Sequence, residues 1–106
     1  MHEPIRLNEL FDVIVERQKA SADESYVASL NAKGQDAILR KVMEEALEVV
    51  LAAKGESQER LVEELADLWF HQLVFMAQAG IHPNDIRQEL TRRFGQSGLK
   101  NGEPQQ

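Results

Sequence analysis

The chain of 106 residues is long enough for one compact domain and too short for two. Its 42% apolar and 28% charged residues are ordinary globular usage, and the absence of cysteine excludes a disulfide framework, a thiolate metal site and a cysteine nucleophile together. Lys and Arg number 12 against 18 Asp and Glu, a net charge of -6 that argues against nucleic acid as a partner; any polyanionic ligand must be bridged to nearby acidic groups by cations.

Apolar residues recur at helical spacing almost from end to end, and alternating Val/Ile/Thr-rich segments are missing, so the expected fold is all-α. A first helix is predicted from about Asn8 to Lys19, with Leu7, Leu10, Phe11 and Ile14 on one face and Asn8 as N-cap. The loop that follows holds at most a short helix, Tyr26 to Lys33, closed by Gly34. A long second helix, Asp36 to Lys54, should end with Gly55 in a left-handed conformation. The third starts at Ser57 as N-cap, runs to about Ala79 and stops at Gly80; with the second it forms a hairpin with a very short loop. Pro83 opens a fourth helix reaching Phe94, with Ile86, Leu90 and Phe94 inward. Residues 1–94 are thus one all-α domain, and 95–106 are expected to be a flexible tail. No segment reaches membrane-spanning length and no apolar leader is present, so a cytoplasmic protein with no membrane partner is expected.

Chemistry concentrates on the hairpin. Lys41, Glu44, Glu45 and Glu48 fall within an arc of about 100° on the second helix, and Arg60, Glu64, Asp67 and His71 align on the third. The remaining circumference of both helices is apolar, Trp69 included. Such helices are normally buried, which needs more cover than three neighbouring helices provide and predicts a homodimer. Counted outward from the loop, Glu48 matches Glu64 and Glu45 matches Asp67, each to within about one residue or 1.5 Å. If the stripes face each other, four carboxylates converge. They would repel and protonate unless a divalent cation joined them. Oxygen donors on rigid helices suit Mg²⁺, with Mn²⁺ as substitute, and Mg²⁺ is commonly shared with substrate phosphates, so the ligand is a phosphate ester or polyphosphate. A di-iron bundle needs Glu-x-x-His motifs that this chain lacks. His71 reads equally as a hydrogen-bond partner behind a metal ligand, a phosphate donor, or a polar residue at the bundle rim.

The strings "EEALE" at Glu44 to Glu48 and "ELAD" at Glu64 to Asp67 resemble the EExxE and ExxD signature of the MazG-like all-α nucleoside-triphosphate pyrophosphatases. From Leu7 to Arg93, with "SYVASLNAKG", "ILRKVMEEALEVVLAAK", "ELADLWFHQLV", the Gly80-Ile81 break and "ELTRR", the chain is similar to the phosphoribosyl-ATP pyrophosphatase family. Met43, where that family usually carries Gly, and His82, where a capping Ser is common, depart from it. The resemblance implies Mg²⁺-dependent hydrolysis of 1-(5-phosphoribosyl)-ATP between its α- and β-phosphates by a helical dimer, an early step of histidine biosynthesis. By position it makes Glu45, Glu48, Glu64 and Asp67 metal ligands. Glu44 becomes a further ligand or the base that orients water, and Glu44, Glu48 and Lys41 are the catalytic candidates. Lys33 and Lys41, with Arg17 and Arg40, would hold phosphates, and Tyr26 and His71 would line the substrate pocket. Two alternatives stand beside this: a housekeeping MazG-like pyrophosphatase with another nucleotide as substrate, and a helical interaction module whose acidic stripes face water.

Overall fold

The computed structural model describes residues 3–95. Over that span the chain forms five helices, α1 (Leu7–Arg17), α2 (Tyr26–Lys33), α3 (Gln35–Gly55), α4 (Gln58–Ala79) and α5 (Pro83–Phe94), and no strand. The all-α expectation is met. The tail expected to be flexible is 95–106, and all of it but Gly95 lies outside the described residues.

Local chemistry sets most of the boundaries. Ser25 caps α2 by accepting the Ala28 amide, and Ser57 caps α4 by accepting the Arg60 amide, each at 3.2 Å. Gly34, at φ +98°, joins α2 directly to α3 in a conformation open to few other residues. Gly80 is left-handed, and the Ile81 amide reaches back to the Met76 carbonyl at 2.9 Å, so α4 ends in a Schellman motif. His82 supplies the cap of α5 that a Ser would otherwise give: its Nδ1 accepts the Asn84 amide while Asp85 accepts the His82 amide, both at 2.9 Å.

Two expected boundaries are corrected, and so is the inward face of α5, where Ile86 and Leu90 are exposed and Phe94 is half-buried. Asn8 is not the N-cap of α1; it lies in the first turn, because Glu9 accepts the Arg6 amide at 3.1 Å and starts the helix at Leu7. Asn8 instead donates to Asn84 of α5 at 3.3 Å. Nor is Gly55 left-handed: it is the last residue of α3, and the extended backbone of Glu56 and Ser57 makes the reversal into α4.

α3 and α4 pack along each other as the hairpin, with α1 and α2 laid over its open end. The core sits there, formed by Phe11 and Ile14 of α1, Val27 and Leu30 of α2, Ile38 of α3, and Leu73 and Val74 of α4. Burying each contributes roughly 1.5–3 kcal/mol. Toward the loop the hairpin is bare: Met43, Leu47, Val50, Leu51, Val62, Leu65 and Trp69 are all exposed, Met43 to 73%. The described chain is accordingly elongated, 51 × 35 × 35 Å, with a radius of gyration of 16.2 Å; a compact chain of this length would have about 13 Å. Among the described residues no helix is long and apolar enough to cross a membrane.

Candidate metal centre

The facing stripes of α3 and α4 bring Glu45, Glu64 and Asp67 together, with one oxygen of each lying within 4.8 Å of the other two. Glu64 and Asp67 meet because i and i+3 share a helix face, and Glu45 stands opposite them on the other arm. The fourth expected member, Glu48, lies outside this group. It is exposed, one turn nearer the loop, although its charge still reaches Glu64.

Glu64 is only 4% exposed, one of two buried polar side chains among the described residues. Burial pushes its carboxyl up, the Arg60 guanidinium 3.7 Å away pulls it down, and the charges of Asp67, Glu45 and Glu48 restore the rise. A carboxylate so enclosed gains its ordinary acidity when a cation arrives. Three hard oxygen donors on two rigid helices therefore fit a divalent ion of the Mg²⁺ or Mn²⁺ kind.

Two cations flank the group. Lys41 places its Nζ 3.4 Å from Glu45 and 3.5 Å from Glu44. Burial lowers the ammonium's proton affinity, but the phenolate that Tyr26 becomes at high pH, and the bonds to Glu45 and Glu44 with the charge of Glu45, outweigh it, so Lys41 holds its proton more firmly than usual. On the other arm Arg60 bridges Glu56, Glu63 and Glu64. Arg60 lies on the predicted stripe but had no assigned role; its spacing four residues before Glu64 was the available signal.

The remaining predicted site residues divide. Tyr26 and His71, 45 positions apart, meet behind Asp67: the Tyr26 hydroxyl is 2.8 Å from His71 Nε2, and His71 Nδ1 is 2.8 Å from the Asp67 backbone oxygen. Because a carbonyl only accepts, Nδ1 carries the proton, and in the neutral ring Nε2 accepts from Tyr26. His71 is buried and both its nitrogens are engaged inside the protein, which favours the partner-behind-the-ligand reading over phosphate donation. Arg40 lines an open groove with Asp36, Leu39, Met43, Glu44 and Leu47. Lys33 and Arg17 are exposed at the ends of α2 and α1, and among the described residues neither they nor Arg40 form an ion pair.

The phosphoribosyl-ATP pyrophosphohydrolase family matches residues 7–94 of this chain. Among curated relatives, the phosphoribosyl-ATP pyrophosphatase of Methylococcus capsulatus is 50% identical over 94 residues, covering 89% of this chain and 90% of its own. The protein of the same name from Geobacter metallireducens is 54% identical over 93 residues, 88% of this chain and 85% of its own. That of Geotalea daltonii is 50% identical over 93 residues, 88% of each.

Proposed function

Since the chain belongs to the phosphoribosyl-ATP pyrophosphohydrolase family, we propose that its hairpin carboxylates serve Mg²⁺-dependent cleavage of phosphoribosyl-ATP. The protein is a hydrolase that releases pyrophosphate from that nucleotide, an early reaction of histidine biosynthesis. The observation that supports the metal reading is the Glu45, Glu64 and Asp67 group, three acidic side chains held together from opposite arms with one of them buried.

In this reading Glu45, Glu64 and Asp67 would hold the ion, with Glu48, one turn away on α3, as a further ligand. When bound, Mg²⁺ supplies positive charge against the phosphate oxygens and makes water more acidic. Glu44, exposed at the rim beside Glu45, accepts the proton of the attacking water. Lys41, shared between Glu44 and Glu45 and firmly protonated, turns toward a phosphate oxygen as the nucleotide enters. Lys33, Arg17 and Arg40 supply further positive charge around the triphosphate.

A second copy of the chain covers the bare end of the hairpin, because the exposed Leu47, Val50, Leu51, Val62, Leu65 and Trp69 form more apolar surface than a soluble monomer ordinarily leaves open. Sedimentation at micromolar concentration should give a dimer, and a monomer would refute this. The chemistry is tested by pyrophosphate release from phosphoribosyl-ATP, ATP and dUTP, each with Mg²⁺ and with excess chelator. Mg²⁺-dependent release from phosphoribosyl-ATP alone is expected. Release mainly from another nucleotide would move the substrate to the housekeeping class, and undiminished release in chelator would overturn the metal reading. Glu48→Gln should abolish turnover with helicity intact; a fully active variant removes Glu48 from the site.

A further inference from the structure

Tyr26 and His71 do more than pack. Tyr26 is the first residue of α2, His71 lies in α4, and their side chains meet with ring centroids 5.7 Å apart in a T-shaped arrangement. Phe70 completes a three-ring cluster, stacked on Tyr26 at 6.3 Å and edge-on to His71 at 5.2 Å. One chain of hydrogen bonds runs from the Tyr26 hydroxyl through both nitrogens of buried His71 to the backbone oxygen of Asp67. That oxygen belongs to a residue of the carboxylate group. The turn from Asp67 to His71 is therefore tied to α2 through the His71 ring, and it carries a carboxylate that meets Glu45 of α3.

We propose that Tyr26 and His71 are a positioning pair for the metal centre: Tyr26 fixes the His71 ring with its proton on Nδ1, and that proton holds the Asp67 turn at the register where its carboxylate meets Glu45 and Glu64. This rests on the metal reading above and assigns both residues to the ligand rather than to the nucleotide. The hydroxyl is suited to donate. Tyr26 is half exposed, and partial desolvation of its hydroxyl raises the pKa; Lys41 opposes this, and the charges of Glu45, Glu44 and Asp67 add to the rise, so the phenol keeps its proton. An aromatic hydrogen-bond chain also restricts motion more narrowly than apolar packing, because both ring nitrogens must be matched at once.

The test uses the full chain and Mn²⁺ as probe, with binding followed by electron paramagnetic resonance in the absence of nucleotide. Tyr26→Phe keeps the ring and removes only the oxygen. It should weaken Mn²⁺ binding by about tenfold, at the lower end of what hydrogen-bond partners behind metal ligands contribute, while circular dichroism shows unchanged helix content. His71→Asn retains a donor where Nδ1 stands and should bind Mn²⁺ better than His71→Gln, which does not. In the metal-free wild type, nitrogen chemical shifts should show His71 protonated at Nδ1 and bare at Nε2. Wild-type Mn²⁺ affinity in Tyr26→Phe, or a proton on Nε2 with none on Nδ1, overturns the positioning role while leaving the metal centre standing. Failure of the wild type itself to bind Mn²⁺ overturns the metal reading and this proposal with it.

Discussion

Replacing Asp67 by Asn should move stability in opposite directions with and without metal. Oxygens of Asp67 and Glu45 lie within 4.8 Å, and among the described residues Asp67 has no ion-pair partner, whereas Glu45 has Lys41 at 3.4 Å. Two unit charges about 4.8 Å apart repel by about 1 kcal/mol in a water-like dielectric and by about 3.5 kcal/mol at an effective value near 20. Asp67 is exposed, so the smaller figure governs. The unfolded chain relieves that repulsion, so Asp67→Asn should stabilise the metal-free protein by about 1 kcal/mol, or roughly 4–8 °C in Tm. With Mg²⁺ the sign reverses. The variant has lost a charged oxygen donor, so the metal-induced rise in Tm shrinks and turnover falls by about 100-fold or more. The assay is thermal unfolding by circular dichroism at fixed protein concentration and neutral pH, in chelator and in excess Mg²⁺. Repetition in molar salt, where the Debye length is about 3 Å, should erase the gain seen in chelator. An unchanged or lowered Tm in chelator, together with an intact response to Mg²⁺, would refute the carboxylate-centre argument.

Three further outcomes follow from the same structure. Glu64 has a raised folded pKa, so its contribution to stability is fully present below the ordinary glutamate range and is lost as pH rises through the folded value; the Tm advantage of Glu64→Gln over wild type in chelator should therefore grow from acidic to neutral pH, and a constant difference would contradict the assigned burial and repulsion. Glu89 shows the opposite sign: hydrogen bonds from Arg92 and Arg93 lower it to about 2, so Glu89→Gln should lose stability at neutral pH and converge with wild type as pH falls from the glutamate range toward that value, more weakly in high salt. His82→Ala removes the α5 cap and the edge contact to Phe11, whose ring centroid is 5.1 Å away, and should cost about 1–2 kcal/mol in denaturant unfolding; His82→Ser should recover most of it, and equal losses for both would show that the ring contact, not the cap, matters.

Helix period, caps and charge spacing are local properties, and they were legible. The short Tyr26–Lys33 helix, the Ser57 cap, the Gly80 stop and the Pro83 start follow from side chains that act within a few positions of themselves. The two acidic stripes were readable for the same reason, since residues three and four apart share a helix face whatever the helix packs against. Tertiary structure decided the rest. Asn8 has the chemistry of a cap, but Glu9 takes the Arg6 amide and Asn8 turns to Asn84, a partner 76 positions away. Equal distance from the loop pairs Glu48 with Glu64 on paper, yet the way the two arms face each other brings Glu45 to both Glu64 and Asp67 and leaves Glu48 exposed. No spacing rule links Tyr26 to His71, because that contact depends on α2 folding back along α3 through the Gly34 junction, which brings Tyr26 to His71 of α4. The sequence determined which side chains each helix presents; only the packing of one helix on another determined which of them touch, because that depends on distances and angles between segments that no local period encodes.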